Sequence, residues 1–137
     1  MDSLGGCCFF NRPSQLYYAA EAISWGGTAE ADHAERLALD ALDAFVTAPA
    51  QDRDFGREAG ARSALALARI HQGEIDGAAE ALTPVLALPS VQRIHGVVTS
   101  VERVRTALSA LQDPGRDAIE LAGAIEGWTA ERLTQAR

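Results

Sequence analysis

The 137-residue chain contains no lysine; all twelve of its basic residues are arginine. With 19 acidic residues the formal charge is −7, an acidic surface that repels phosphate backbones and argues against direct binding of DNA or RNA. Aromatic residues make up only 6% of the chain. No run of alternating β-branched and aromatic residues survives five positions, which leaves strands without a signal. No apolar run approaches the ~20 residues needed to span a bilayer. The opening "MDSLGGCCFF" is too short and lacks the basic start of a secretion signal, so a cytoplasmic location is expected.

Cysteine is scarce too. Cys7 and Cys8 are the only two and are adjacent, outside the usual Cα spacing for a disulfide and unlike a zinc or redox pair. They read as small apolar side chains beside Phe9 and Phe10, with a thiol sensor as the alternative. Catalytic signatures are equally missing. His33, His71 and His95 are scattered, no Gly-x-Ser-x-Gly elbow occurs, and the Gly-Gly pairs at 5–6 and 26–27 do not extend to a phosphate loop. The acidic pairs Asp40/Asp43 and Glu30/Asp32 read as solvated helix faces. No catalytic residue, metal site or cofactor is expected.

What the chain has is alanine, about a fifth of its residues, far above average usage and suited to closely packed helices. The apolar fraction of 47% is that of a globular domain. An all-α fold of about six helices follows. Asn11 as a cap with Pro13 in the first turn opens the first helix, and Gly26-Gly27 stops it; Leu16, Ala19, Ala20 and Ile23 form its inner stripe. The second, from about Glu30, carries Ala34, Leu37, Ala38, Ala41, Leu42 and Phe45 on one side. The third runs from roughly Phe55 to Gln72 and the fourth from roughly Ile75 to Leu86, where Leu88-Pro89 ends it. The fifth, from about Val91 to Leu111, has the seam Val97, Val101, Val104, Leu108 and Leu111. Pro114-Gly115 precedes the last, about Arg116 to Trp128, with Ile119, Ala122 and Ile125 on its apolar side. Residues 1–13 read as an N-terminal extension, 14–128 as the helical domain and 129–137 as a frayed tail.

Two details point to stacked helix pairs. In "LARIHQGEIDGAAEAL", residues 67 to 82, Gly73 separates two helical patterns and reads as the left-handed residue past a helix end. Asp76 or Glu74 then falls in the next opening turn, where the helix dipole favours a carboxylate. So short a connection makes the two helices antiparallel neighbours. "ARSALALARI" is apolar nearly all round except for Arg62 and Arg69, as an interior helix would be, and Glu58 stands four residues before Arg62.

Aligning Gly27 with Gly73 exposes an internal repeat: Leu16, Ala19 and Ala20 match Arg62, Leu65 and Ala66. With about two residues inserted in the first copy, Ala34, Ala38 and Ala41 match Ala78, Leu82 and Val85, and Leu42 matches Leu86. "GEIDGAAEALTPVLALP" resembles the second half of a tetratricopeptide repeat, over 62–89 best, over 14–46 moderately and over 92–127 weakly. Arg62 and Arg69 stand where aromatics are common in that repeat. "QLYYAAEAISW", "AGARSALALARIHQGEIDGAAEALTPVLALPSVQRIHGVVTSVERVRTAL" and "AIELAGAIEGWT" resemble the C-terminal region of actinobacterial Cro-type (XRE-family) helix-turn-helix regulators. The alanine and arginine bias suits a GC-rich genome. No helix-turn-helix segment stands before residue 14, so DNA binding is not carried over. The chain reads as a fragment of such a regulator or a free-standing relative.

The resemblance implies a concave binding surface lined by the first helix of each pair. Transferred through the two glycines, the lining falls on Ser14, Tyr17, Glu21, Ser24 and Trp25, then on Ser63, Leu67, Ile70 and His71. Tyr17, Glu21 and Trp25, four residues apart, would form a ridge for a peptide or small amphipathic ligand; core packing of the two aromatics is the other reading. Related quorum-sensing regulators clamp peptide backbones with asparagine, and Asn11 is the only one here; Arg62 and Arg69 remain to hold a carboxylate. His71 and His95 are candidates for pH or ligand sensing, or structural histidines. The expected function is a non-enzymatic interaction and sensor domain of a transcriptional regulator. Its expected partner is a protein, a peptide or a small-molecule effector, with self-association as a homodimer. A free-standing small-molecule binder or enzyme on a helical scaffold is the alternative, and a purely structural dimerisation module a third.

Overall fold

The computed structural model describes residues 12–24, 26–47, 55–89, 92 and 95–135. Among them it is all-helical, with no strand. Six α-helices follow in order: α1 (Arg12–Ser24), α2 (Ala31–Thr47), α3 (Phe55–His71), α4 (Ile75–Leu86), α5 (His95–Ser109) and α6 (Arg116–Gln135), with a 3-10 turn at Gly27–Glu30. Cys7 and Cys8 lie outside the described residues.

The α3–α4 connection takes the form expected of Gly73. Its φ is +82°, the one positive value among the described residues. The Gly73 N–H donates to the Ile70 carbonyl at 3.0 Å and the Glu74 N–H to that of Arg69 at 2.8 Å. Those two bonds satisfy carbonyls that the helix end would otherwise leave bare, and the left-handed residue between them is one that glycine adopts without steric cost.

Each helix packs on the next, except that α4 and α5 share no more than a marginal contact. Helices also pack on the next but one: α1 on α3, α3 on α5, and α4 on α6. α3 thus meets α1, α2, α4 and α5, which explains why it is apolar almost all round. Ten of its residues are buried, from Ala59 to Ile70. The first and last helices share no more than a marginal contact. A single apolar cluster runs through the whole row, from Ala20 on α1 to Trp128 on α6.

Three repeated pairs on α2 and α4 behave alike, whereas Leu42 is buried and its match Leu86 only half-buried. Ala34, Ala38 and Ala41 are buried on α2, as Ala78, Leu82 and Val85 are on α4. The α5 seam of Val97, Val101, Val104 and Leu108 is buried as expected, and Leu37 on α2 is half-buried against the core.

Three expectations need correction. α5 spans His95–Ser109 and ends two residues before the expected 111; residues 91, 93 and 94 lie outside the described residues. Past its end the Leu111 N–H donates to the Leu108 carbonyl at 3.2 Å, a tightened last turn, and Leu111 is half-buried. α6 continues to Gln135, where a frayed tail was expected from 129. Finally, α6 is rotated from its expected face: Ala118, Leu121, Ile125 and Trp128 are buried, whereas Ile119 is 60% exposed. Steps of three, four and three keep the buried set on one line, and Trp128 adds far more apolar area to it than Ile119 would.

Candidate functional surface

The inner face expected to bind ligand is largely filled. Gly60, Ser63 and Leu67 of α3 meet Ser100, Arg103 and Val104 of α5 around a crevice of about 10 Å³, room for one water at most. Ser63 is buried and donates its hydroxyl to the Ala59 carbonyl at 3.0 Å. Leu67 and Ile70 are buried, Ile70 within the main core cluster. Small side chains cause this closure: Gly60, Ser63 and Ala64 let α5 approach α3 too closely to leave a groove.

Tyr17 reaches the same region from α1. A β-carbon built on Gly60 would sit 2.6 Å from Tyr17 Cε1 and 2.8 Å from its hydroxyl oxygen, so the ring lies directly on the glycine backbone. Tyr17 is half-buried and packs against the core. His71 is half-buried at the end of α3. The structure therefore places Ser63 and Leu67 together along a closed crevice and Tyr17 against Gly60, with Ile70 and His71 further along α3. Glu21 is on α1, and Trp25 lies outside the described residues.

Arg69 was a candidate carboxylate clamp for a ligand; the chain supplies its own carboxylates instead. Arg69 Nε donates to Glu35 Oε2 at 3.2 Å, and Nη1 donates to the Gly77 carbonyl at 3.0 Å and lies 3.9 Å from Glu80. Beside it, Gln72 Nε2 donates to Asp32 at 2.8 Å and to Glu35 at 3.0 Å. This network ties α2, α3 and α4 together at one edge. Arg62 keeps the expected pairing with Glu58 at 3.5 Å.

What remains open lies at the helix ends. Phe55, Glu58, Ala59 and Arg62 at the start of α3 face Pro84, Val85 and Leu88 at the end of α4 around a hollow of about 200 Å³. Phe55 is 41% exposed. On the α1–α3 side, the Arg57 guanidinium lies 5.8 Å from the Tyr18 ring centre, and its Nε donates to the Tyr18 hydroxyl at 3.3 Å. Tyr18 in turn lies 5.0 Å from Tyr17, ring centre to ring centre. A largely apolar hollow with the Phe55 ring and the Arg62 guanidinium in its lining accepts an apolar side chain flanked by a carboxylate. No sequence signal singled out Phe55, Arg57 and Tyr18, since only the packing of α1 on α3 joins residues so far apart in the chain.

A larger cleft of about 460 Å³ opens between the starts of α4 and α6, lined by Gly73–Gly77 and Gly115–Ala118. Asp76 and Asp117 meet there, and a hydrogen bond between the two carboxyls, followed by their mutual repulsion, raises the Asp76 pKa above its usual value. A raised carboxyl pKa favours the protonated folded state. The contribution is thus fully present in acid and is lost as pH rises through the raised value. Asp117→Asn is expected to remove that loss, so its melting temperature should gain on the wild type between mildly acid and neutral pH. A constant difference across the range would show that the carboxyls do not interact. Among the described residues no group of three or more His, Cys, Asp or Glu is placed to hold a metal ion, and no helix is long and apolar enough to cross a membrane.

Comparison with protein-family models, with curated proteins and with solved structures finds no match for this chain.

Proposed function

We propose that the chain is a non-enzymatic interaction and sensor domain, of the kind that follows the DNA-binding domain in Cro-type regulators, with tetratricopeptide-like stacking of its helix pairs. The observation that carries this reading is the packing order: α1, α3 and α5 in one row, with α4 and α6 packed together behind it. That order is how stacked pairs extend a surface from repeat to repeat, and such surfaces serve recognition. The Schellman turn at Gly73 and the matching burial of Ala34, Ala38 and Ala41 with Ala78, Leu82 and Val85 support it further.

The partner is a protein or peptide, or a small effector of similar chemistry, docking at the Phe55 hollow rather than over Ser63, Leu67 and Ile70. Phe55, Ala59, Val85 and Leu88 take an apolar anchor, and Arg62 in the same lining supplies charge for a flanking carboxylate. A fluorescence-anisotropy screen of short peptides, each with one large apolar residue beside an acidic one, tests this. Some are expected to bind, and Phe55→Ser should weaken them about tenfold or more. Peptides that ignore the substitution, or a screen without binders, would overturn the assignment. Self-association belongs to the same reading.

A further inference from the structure

The last helix carries a face that none of the described residues covers. Ile119 is the most exposed large apolar residue described, at 60%. It stands at the lip of a groove of about 340 Å³ between α5 and α6, floored by Leu108, Pro114, Ala118 and Ala122. Gly123 lines the same groove, and a β-carbon there, or at Gly127, would meet no atom within 4 Å. Glycine inside a helix weakens it relative to alanine. Neither position has an internal contact that requires glycine.

Charge along this face is self-complementary. Arg116 and Glu126, with side chains 88% and 64% exposed, lie on the same side of α6 as Ile119 and Gly123; within the chain Arg116 pairs with Glu120 at 3.2 Å and Glu126 lies 4.0 Å from Arg105, exposed contacts weak enough to be exchanged for others. Three positions separate Arg116 from Ile119, and three separate Gly123 from Glu126. When two α6 helices cross antiparallel about a two-fold axis, one register therefore serves both pairs. Ile119 of each copy lies over Gly123 of the other, and Arg116 of each faces Glu126 of the other. A two-fold contact needs such a patch, complementary to itself.

We infer that a second copy of this chain packs here, α6 against α6, with Ile119 seated in the neighbouring groove where glycine leaves room for it. This rests on the self-association part of the reading above and names its surface. Light scattering on the full chain at high micromolar concentration, with circular dichroism to confirm folding, is the test. The wild type is expected to be a dimer. Ile119→Glu and Gly123→Glu should weaken dimerisation about tenfold or more, whereas Val46→Glu, an exposed apolar site on α2, should leave it unchanged. Arg116→Glu should also weaken it, and adding Glu126→Arg should restore it. A dimer indifferent to the α6 changes, or one lost through Val46→Glu, overturns the α6 interface while self-association stands. A monomeric wild type overturns both.

Discussion

Replacing Phe45 with alanine is expected to cost about 3–5 kcal/mol, a large part of the stability of a domain this size. Phe45 is fully buried and among the largest side chains so placed. It closes the inner seam of α2, four residues beyond Ala41 and on the same side as Leu42. The alanines around it hold α2 close to its neighbours, so little can collapse into the void. Neighbouring Val46, 57% exposed, provides the contrast: Val46→Ser should change stability by roughly 0.5 kcal/mol or less. Denaturant unfolding of both variants, compared at equal slope, checks the pair. A Phe45→Ala midpoint close to that of Val46→Ser would mean that the α2 seam is not the core it is described to be.

Gly60→Val is expected to destabilise by about 1–3 kcal/mol although valine is the better helix former. The reason is the Tyr17 ring, which occupies the space a side chain at 60 would need. At Gly96, where an added β-carbon meets nothing, alanine should instead stabilise by about 0.5–1 kcal/mol. The decisive measurement is a double-mutant cycle. In a Tyr17→Ala background the cost of Gly60→Val should shrink by about 1 kcal/mol or more, because the obstructing ring is gone. Equal costs in the two backgrounds would show that Tyr17 does not rest on Gly60. Since Tyr17 was a candidate ligand contact, this cycle also separates a packing role from a binding one: a ring held against α3 is not free to follow a ligand.

The closure of the inner face changes where binding is to be sought. Ser63, Leu67 and Ile70 fall on a concave surface by analogy with tetratricopeptide repeats. Here glycine, serine and alanine at 60, 63 and 64 draw α5 onto α3, leaving a crevice of about 10 Å³. The accessible large apolar side chains lie elsewhere: Tyr18 on α1, Leu39 and Val46 on α2, Phe55 at the start of α3 and Ile119 on α6. Arg69 is a parallel case. Its charge suggested a ligand contact, and Glu35 already answers it.

Local order was readable along the chain because its causes are local. The spans of α3 and α4, the left-handed turn at Gly73 and the seams of α2 and α5 follow from the 3.6-residue period and from glycine's freedom at a helix end. Those signals act within a few residues and survive without knowledge of the rest. Tertiary packing alone decided which side of α6 turned inward, that Arg69 is answered by a carboxylate 34 positions away, and that Asp76 meets Asp117. Such choices depend on which neighbours compete for the same space and charge. Where Ala118, Leu121, Ile125 and Trp128 together bury more apolar surface than a line through Ile119, the helix rotates to bury them, and Ile119 is left facing outward.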